Sequence, residues 1–127
     1  MPNWILVDTD VLVDFLRGNE NAATLVREFS ARIVLSPIVI AELYAGVKGK
    51  TEMAVLEDFI SLFRVAPLTA EIARRGGLYK RDFGKSHGVG LADSLLAATV
   101  EVENAELKTL NVKHYPMFTG LRQAYQK

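Results

Sequence analysis

Four short apolar runs, separated by longer segments with helical features, constrain the fold of this chain more than any other feature. The runs are "WILV" and "RIVLS" in the first half and "RVAPL" and "AELKTL" in the second. Each run has the length and the apolar character of a buried strand. Because strands that alternate with helices form parallel sheets, we predict an α/β fold with helices on both faces of a mostly parallel sheet. In such sheets, ligands bind outside the carboxyl ends of the strands.

The segments between these runs contain helix boundaries. Ser36 followed by Pro37 predicts a capped helix start, and Thr69 predicts another. Gly18 predicts the end of the first helix, whereas Gly76-Gly77 predicts a weak point inside a later one. The predicted helices are "VLVDFLRG", "NAATLVREFSA", Pro37 to Tyr44 or Gly46, "TEMAVLEDFISLF", "AEIARRGGLYKRDFGK" and "LADSLLAATVEVE", and the tail is mostly irregular with room for one last short strand.

The composition excludes several classes of protein. The chain has 15 Lys and Arg against 15 Asp and Glu, so any nucleic-acid contact must come from a local patch. It has no cysteine, which excludes disulfides, thiolate zinc sites and a cysteine nucleophile. Its start, "MPNWILVD", lacks the basic and long apolar regions of a signal peptide, and no apolar run approaches the ~18 residues of a membrane span. We therefore expect one soluble, cytoplasmic domain over residues 1–127.

Three carboxylates stand in otherwise apolar segments. Asp8 follows "WILV", Glu42 is the only charged residue in "SPIVIAELYAGV", and Asp93 is the only one in "GVGLADSLLAATV". An ionised carboxylate in a buried helix is costly unless a cation balances it. No Lys or Arg inside these elements can do so. If the three acids converge, their natural partner is a cation from solution.

Each acid also has a local explanation when it is considered alone. Asp8 suits a turn or the cap of the first helix, Asp93 suits a helix N-terminus, and Glu42 suits an exposed edge of its helix. We prefer convergence, because three separate apolar elements each carry one such acid. Ligands that are all carboxylate oxygens favour Mg²⁺ or Mn²⁺ over zinc. Such an ion activates water and neutralises phosphoryl charge, which predicts the hydrolysis of a phosphodiester.

Other polar residues near these acids are assigned supporting or local roles. Asp10 is predicted to cap the first helix, and Asp14 to occupy a solvated position within it. Thr9 and Ser36 carry hydroxyls that can bind a ligand carboxylate or a phosphate, or can satisfy backbone groups instead.

Four stretches occur in an order and at a spacing that resemble one protein family. They are "ILVDTDVLVDFLRG", "LSPIVIAELYAG", "GLADSLLAAT" and "LKTLNVKHYPMFTGL". Together they resemble the PIN-domain family, and within it the VapC-type toxin ribonucleases, over essentially the whole chain. The resemblance implies a three-layer α/β/α sandwich, commonly a homodimer, with Asp8, Glu42 and Asp93 as catalytic ligands of Mg²⁺ or Mn²⁺. It also implies Thr9 and Ser36 as supporting residues, RNA as the substrate and a separately encoded antitoxin as a partner.

The sequence departs from the family pattern at two places. Asp10 stands where the family usually has Asn or Ser. Asn111 lies in the segment where many members have a fourth acid, so it offers an amide oxygen without a charge. This second departure argues against a tightly held second metal ion. His114, in the same segment, either orients a phosphate or donates a proton, or is an ordinary surface histidine.

The densest basic stretch lies in the predicted helix that follows Thr69. It is either a solvated helix face or a path for RNA phosphates beside the site. Unpaired RNA is the expected target, because single strands can be splayed into a small cleft. The candidate RNA-binding residues are Arg74, Arg75, Lys80, Arg81 and Lys85.

Two other functions compete with the ribonuclease. "ILVDTDVL" also resembles the first motif of haloacid-dehalogenase-type phosphatases, but the later motifs of that family are missing, and Glu42 and Asp93 would have no role. The domain could instead be a non-catalytic PIN-like module that binds RNA or protein, since a fold does not fix an activity. For a dimer, the sequence offers the apolar helix "MAVLEDFISLF" as a surface.

Overall fold

The computed structural model describes residues 3–127, and Met1 and Pro2, the start of the predicted domain, lie outside the described residues. In the described part, four strands alternate with helices, as the apolar runs predict. The strands are β1 (Ile5–Val7), β2 (Ile33–Leu35), β3 (Arg64–Val65) and β4 (Glu106–Lys108). The helices are α1 (Thr9–Leu16), α2 (Glu20–Phe29), α3 (Pro37–Ala45), α4 (Gly49–Ile60), α5 (Ala70–His87) and α6 (Leu91–Val102), and Val112–His114 forms a 3₁₀ turn.

All four strands are parallel and stand in the order β3-β2-β1-β4. In the register, Leu6 of β1 lies between Val34 of β2 and Leu107 of β4. This confirms the predicted three-layer α/β/α class. The chain moves outward from β1 to β3 and then returns to the other side of β1, so the strand order reverses between β1 and β4. The crevice at the carboxyl ends of two such strands is where open parallel sheets bind ligands.

The core lies on the two central strands. All residues of β1 and β2 are buried, with Ile5, Leu6 and Val7 fully so. Strands that are buried on both faces read as continuous apolar runs, which explains the runs of β1 and β2. The edge strands differ, because both residues of β3 are exposed and only Leu107 of β4 is buried. Among residues 3–127, no helix has the length and the apolar character needed to cross a membrane.

Helix α5 passes through both glycines without interruption, so the predicted weak point at Gly76-Gly77 does not break the helix. Gly76 is buried against α6, and a Cβ atom at that position would lie 2.6 Å from Leu95 Cδ2 and 3.0 Å from Leu95 Cα. The absence of a side chain therefore lets two helices pack closely. That packing outweighs the low helix propensity of glycine.

The C-terminal tail contains no further strand among the described residues, and it folds back onto the sheet and α1. The Ala124 amide donates to the Thr109 carbonyl at 2.9 Å, and the Tyr125 hydroxyl donates to Asp14 Oδ2 at 2.7 Å. Asp14 is only 7% exposed, so its predicted solvated position is wrong. The hydrogen bond from Tyr125, followed by the contact with Lys127, lowers the pKa of Asp14.

Candidate functional site

Asp8 follows β1 directly and is the N-cap of α1. Its Oδ1 atom accepts a hydrogen bond from the Thr9 amide at 2.8 Å. Its Oδ2 atom accepts two more, from the Thr109 hydroxyl at 2.9 Å and the Tyr115 hydroxyl at 2.8 Å. Asp8 is only 6% exposed, and these three neutral donors offset the cost of burying its charge. The capping role predicted for Asp8 alone is thus correct, but it uses only one of the two carboxylate oxygens.

Glu42 lies on α3 and is exposed, in agreement with its local explanation. It nevertheless contacts the start of α1, because the Thr9 hydroxyl donates to Glu42 Oε1 at 2.6 Å. Thr9 therefore links Glu42 to the helix that Asp8 caps. Ser36, in contrast, is fully buried as the N-cap of α3, where its hydroxyl accepts a hydrogen bond from the Ile38 amide at 3.0 Å.

Asp93 lies in the first turn of α6, where the helix dipole favours a negative charge. Its Oδ1 atom is 3.3 Å from the Tyr115 hydroxyl, which also contacts Asp8. Its Oδ2 atom is 3.0 Å from Nδ1 of His114. Burial raises the pKa of Asp93, the charges of Asp8 and Glu42 add to the increase, and His114 opposes it. The three acids are therefore close enough to act on one another electrostatically.

Asp10 adds a fourth carboxylate, although it does not cap α1 as predicted. Its Oδ1 atom accepts from the Val11 amide at 2.8 Å, and its Oδ2 atom accepts from the Leu110 amide at 2.9 Å. The Thr109 hydroxyl lies 3.5 Å from the same Oδ2 atom. Burial, and then the charge of Asp8, raises the pKa of Asp10 to about 6. Asp10 therefore ties the segment after β4 to α1 and adds negative charge beside Asp8.

The segment "TLNVKHY" contacts the acids through other residues than the predicted Asn111. Asn111 is exposed, and within the described part of the chain its side chain makes no hydrogen bond to the acids. His114 does reach the site through Asp93, and 48% of its side chain remains exposed. Thr109 and Tyr115 were not among the predicted site residues, yet their hydroxyls bind the acids from this segment. For Thr109 the sequence offered a clue, because this residue directly follows β4 at the carboxyl edge of the sheet.

Most basic side chains of the stretch in α5 are paired with acids of the same helix or with a nearby carbonyl. Arg74 and Arg75 both bind Glu71, at 2.9 and 2.7 Å, one turn earlier on the same helix. Arg81 pairs with Asp82 at 2.9 Å, and Lys80 Nζ donates to the carbonyl of Val89 at 2.9 Å. Lys85 is exposed near the end of the helix. These contacts favour the solvated helix face over a dedicated phosphate path.

The acids of the site are balanced by hydroxyl and amide donors. Among residues 3–127, no Lys or Arg forms an ion pair with Asp8, Asp10, Glu42 or Asp93. In the same part of the chain, the side chains as they stand form no group of three or more His, Asp or Glu that could hold a metal ion. The donor chemistry still suits a hard divalent cation, because Mg²⁺ takes one or two protein carboxylates and keeps several waters.

The family model of the PIN domain matches residues 5–115. Among curated proteins, Ribonuclease VapC19 of Mycobacterium tuberculosis is 43% identical over 94% of this chain and 98% of its own length. Ribonuclease VapC10 of the same organism is 40% identical over 95% of this chain and 92% of its own length.

Two solved structures share the fold. The toxin-antitoxin complex from Klebsiella pneumoniae contains a chain with a TM-score of 0.83 and 23% identity, covering 97% of this chain and 99% of that one. The DNA-bound VapBC from Salmonella typhimurium contains a chain with a TM-score of 0.80 and 20% identity, covering 95% of this chain and 96% of that one.

Proposed function

We propose that this chain, which belongs to the PIN domain family, is a divalent-metal-dependent endoribonuclease of the VapC type. The observation that carries the proposal is the set of contacts that links the three acids: the Tyr115 hydroxyl contacts both Asp8 and Asp93, and Thr9 joins Glu42 to the helix that Asp8 caps. The curated relatives carry the name ribonuclease and match this chain over nearly their whole length. Residues 1–127 are proposed to form one PIN-like domain.

Mg²⁺ or Mn²⁺ is the proposed cofactor. Asp8, Glu42 and Asp93 would hold it, since their oxygens are the ligands that these ions prefer. When bound, such an ion supplies an activated water and neutralises charge on the phosphoryl oxygens. Asp10 adds charge to this region but is held by the Leu110 amide, so it is assigned a supporting role. Asn111 is exposed and adds no charge, which supports one tightly held metal ion.

Three neighbouring side chains prepare this site for a phosphodiester. Thr9 and Tyr115 donate hydrogen bonds to the acids and so fix their orientation. His114 lies beside Asp93 with about half of its side chain exposed to solvent, where it can contact a phosphate or donate a proton. Lys85, at the end of α5, is the member of the basic stretch that we assign to contacts with the RNA backbone.

An antitoxin protein is the proposed partner. A groove of about 430 Å³ runs beside Glu42 between α1, α3 and α4. Leu16 and Val55 line it and are 39% and 54% exposed, and its charged lining residues are balanced, with Arg17 and Lys48 against Glu42 and Glu52. An apolar segment of the antitoxin would cover the groove and block access to Glu42. The protein is then the toxin of a type II toxin–antitoxin pair.

A homodimer is also proposed, with α4 as the contact surface suggested by the sequence. Leu56 and Phe59 of this helix belong to the core, whereas Met53 remains exposed outside the groove. Light scattering on the purified protein gives the number of chains per particle. A monomer at micromolar concentration would exclude this part of the proposal.

The activity is tested with purified protein, a mixed RNA pool and Mn²⁺ or Mg²⁺. Wild type should cleave the RNA, and EDTA should stop the cleavage. Asp8→Asn, Glu42→Gln and Asp93→Asn should each lose about 100-fold or more in rate, because the loss of a ligand should cost at least as much as the loss of a side chain that only orients one. The control is Asp82→Asn, which neutralises an exposed acid on α5 and should keep the wild-type rate. Full activity of Asp93→Asn, or cleavage in EDTA, would overturn the metal site.

The cellular role is tested by induced expression with and without the protein encoded by the neighbouring gene. Expression alone should arrest growth, and Glu42→Gln at equal protein level should relieve the arrest. Arrest by both forms would support the non-catalytic binding module instead. The haloacid-dehalogenase alternative gains no support, because the PIN model accounts for residues 5–115.

A further inference from the structure

Tyr115 occupies an unusual position for a tyrosine. Its side chain is only 1% exposed, and its hydroxyl lies 2.8 Å from Asp8 Oδ2 and 3.3 Å from Asp93 Oδ1. These two acids belong to different elements, the N-cap of α1 and the first turn of α6. In the part of the chain that the structure describes, no other side chain donates hydrogen bonds to both of them.

The chemistry of a phenol suits this position. A buried Lys or Arg would also bridge two carboxylates, but its positive charge would compete with an incoming cation. A phenol has one proton, which it can share between two acceptors while it remains neutral. Because the phenol brings no charge of its own, it leaves the negative charge of the two acids available to a cation.

The ring of Tyr115 is held in place by the core. It stacks on Phe118 with the two ring centroids 6.3 Å apart and an angle of 13° between the ring planes. The residue also belongs to the main hydrophobic cluster. A rigid ring fixes the position of its hydroxyl oxygen, and that oxygen fixes the distance between the two carboxylates that it contacts.

We propose that Tyr115 is a positioning residue whose hydroxyl holds Asp8 and Asp93 at one spacing and thereby raises the affinity of the site for a divalent cation. The inference rests on the proposed function, in which both acids are metal ligands. Side chains that orient metal ligands typically change affinity by 10- to 100-fold when they are removed. A hydroxyl with only a structural role would lower the melting temperature and leave metal affinity unchanged.

The test compares Tyr115→Phe with Tyr125→Phe by titration of metal-free protein with Mn²⁺ in a calorimeter. Both variants remove one phenol hydroxyl from a carboxylate, but Tyr125 contacts Asp14, which lies outside the proposed ligand set. Tyr115→Phe should weaken Mn²⁺ binding by about 10-fold or more, and Tyr125→Phe should stay within about 2-fold of wild type. RNA cleavage by Tyr115→Phe should fall at low Mn²⁺ and recover at high Mn²⁺, with the KM for RNA nearly unchanged.

Thr109→Val covers the case in which Tyr115→Phe does not fold, as judged by a melt in EDTA. The Thr109 hydroxyl orients Asp8 but does not contact Asp93, so its loss should weaken Mn²⁺ binding by about 10-fold at most, the low end for side chains that orient a ligand. A loss well above about 10-fold would assign the positioning to Thr109 and overturn the inference. Wild-type affinity in a folded Tyr115→Phe variant would overturn it while leaving the proposed function intact. A wild-type protein that does not bind Mn²⁺ would overturn both.

Discussion

The stability of the metal-free protein should fall as the pH rises from about 4 to about 7, and Asp10 should cause much of that fall. Burial, and then the charge of Asp8, raises the pKa of Asp10 from 3.8 to about 6. A raised pKa means that the folded protein holds this proton more tightly than the unfolded chain does. The stabilisation is therefore complete below the unfolded pKa of 3.8, and it is lost as the pH passes through the folded value near 6.

The size of the effect follows from the two pKa values. One pKa unit corresponds to about 1.4 kcal/mol. A pKa that changes from 3.8 in the unfolded chain to about 6 in the folded protein therefore lowers the free energy of unfolding by at most about 3 kcal/mol over this pH range. Because Asp10 is only partly buried, solvent screening reduces this to about 1 to 2 kcal/mol. For a domain of this size, the expected fall in melting temperature is about 3 to 8 °C.

The assay is a series of thermal melts in EDTA from pH 4.5 to pH 8. Asp10→Asn cannot ionise, yet its amide oxygen can still accept the hydrogen bond from the Leu110 amide, so its melting temperature should depend less on pH. Some dependence should remain from Asp93, whose pKa is also raised. The exposed control Asp82→Asn should behave like wild type. If Asp10→Asn keeps the full pH dependence, the burial of Asp10 is not its cause and the reasoning is wrong.

Two further predictions concern packing and the tail. Gly76→Ala should cost about 1 to 3 kcal/mol in urea melts, because its Cβ atom would lie 2.6 Å from Leu95 Cδ2. A Cβ atom at Gly77 would have no other atom within 4 Å, so Gly77→Ala should raise the free energy of unfolding by up to about 1 kcal/mol. Equal effects of the two substitutions would contradict the packing argument. Tyr125→Phe should lower stability at neutral pH by about 1 to 2 kcal/mol, because Asp14 loses a donor. Since that donor lowers the pKa of Asp14, the loss should shrink below about pH 4, and a loss that does not change with pH would refute this account.

The features that the sequence predicted well are those that depend on neighbouring residues. Buried parallel strands appear as short apolar runs, and capped helix starts appear at Ser36 and Thr69, where the structure places the N-caps of α3 and α5. Asp8, Glu42 and Asp93 stood out because each is a charge in an apolar context, which also needs only local information. Their role as metal ligands remains a prediction.

The features that were missed depend on contacts between distant parts of the chain. Asp14 is separated from Tyr125 by 111 residues, and Asp10 from Leu110 by 100. A helical pattern shows which face of α1 a residue occupies, but not that a distant tail covers that face. The solvated position of Asp14 was therefore predicted from a local rule that a tertiary contact overrides. The capping role of Asp10 failed for a local reason, because α1 begins at Thr9 and Asp8 is its N-cap.

The basic stretch of α5 is a different case, because its explanation is present in the sequence. Glu71 precedes Arg74 by three positions and Arg75 by four, the two spacings at which side chains on a helix meet. Arg81 stands next to Asp82. Counting Glu71 alongside the bases predicts, from spacing alone, that the charges of Arg74 and Arg75 are partly balanced within the helix. The pair of Arg81 and Asp82 does not follow from spacing, because neighbouring residues on a helix do not face each other.

The balance of charge at the site links the proposed cofactor to substrate binding as well as to chemistry. Asp8, Asp10, Glu42 and Asp93 carry the same sign as an RNA phosphate, and the nearby donors Thr9, Thr109 and Tyr115 are neutral. Two unit charges about 4 Å apart at an effective dielectric constant of about 20 repel by roughly 4 kcal/mol, so a phosphate cannot approach this cluster closely without compensation. His114 supplies at most one positive charge, and only when it is protonated. The proposed cation therefore admits the phosphate to the site before it assists the reaction, and the neutral hydroxyls hold the acids in place without weakening the attraction for that cation.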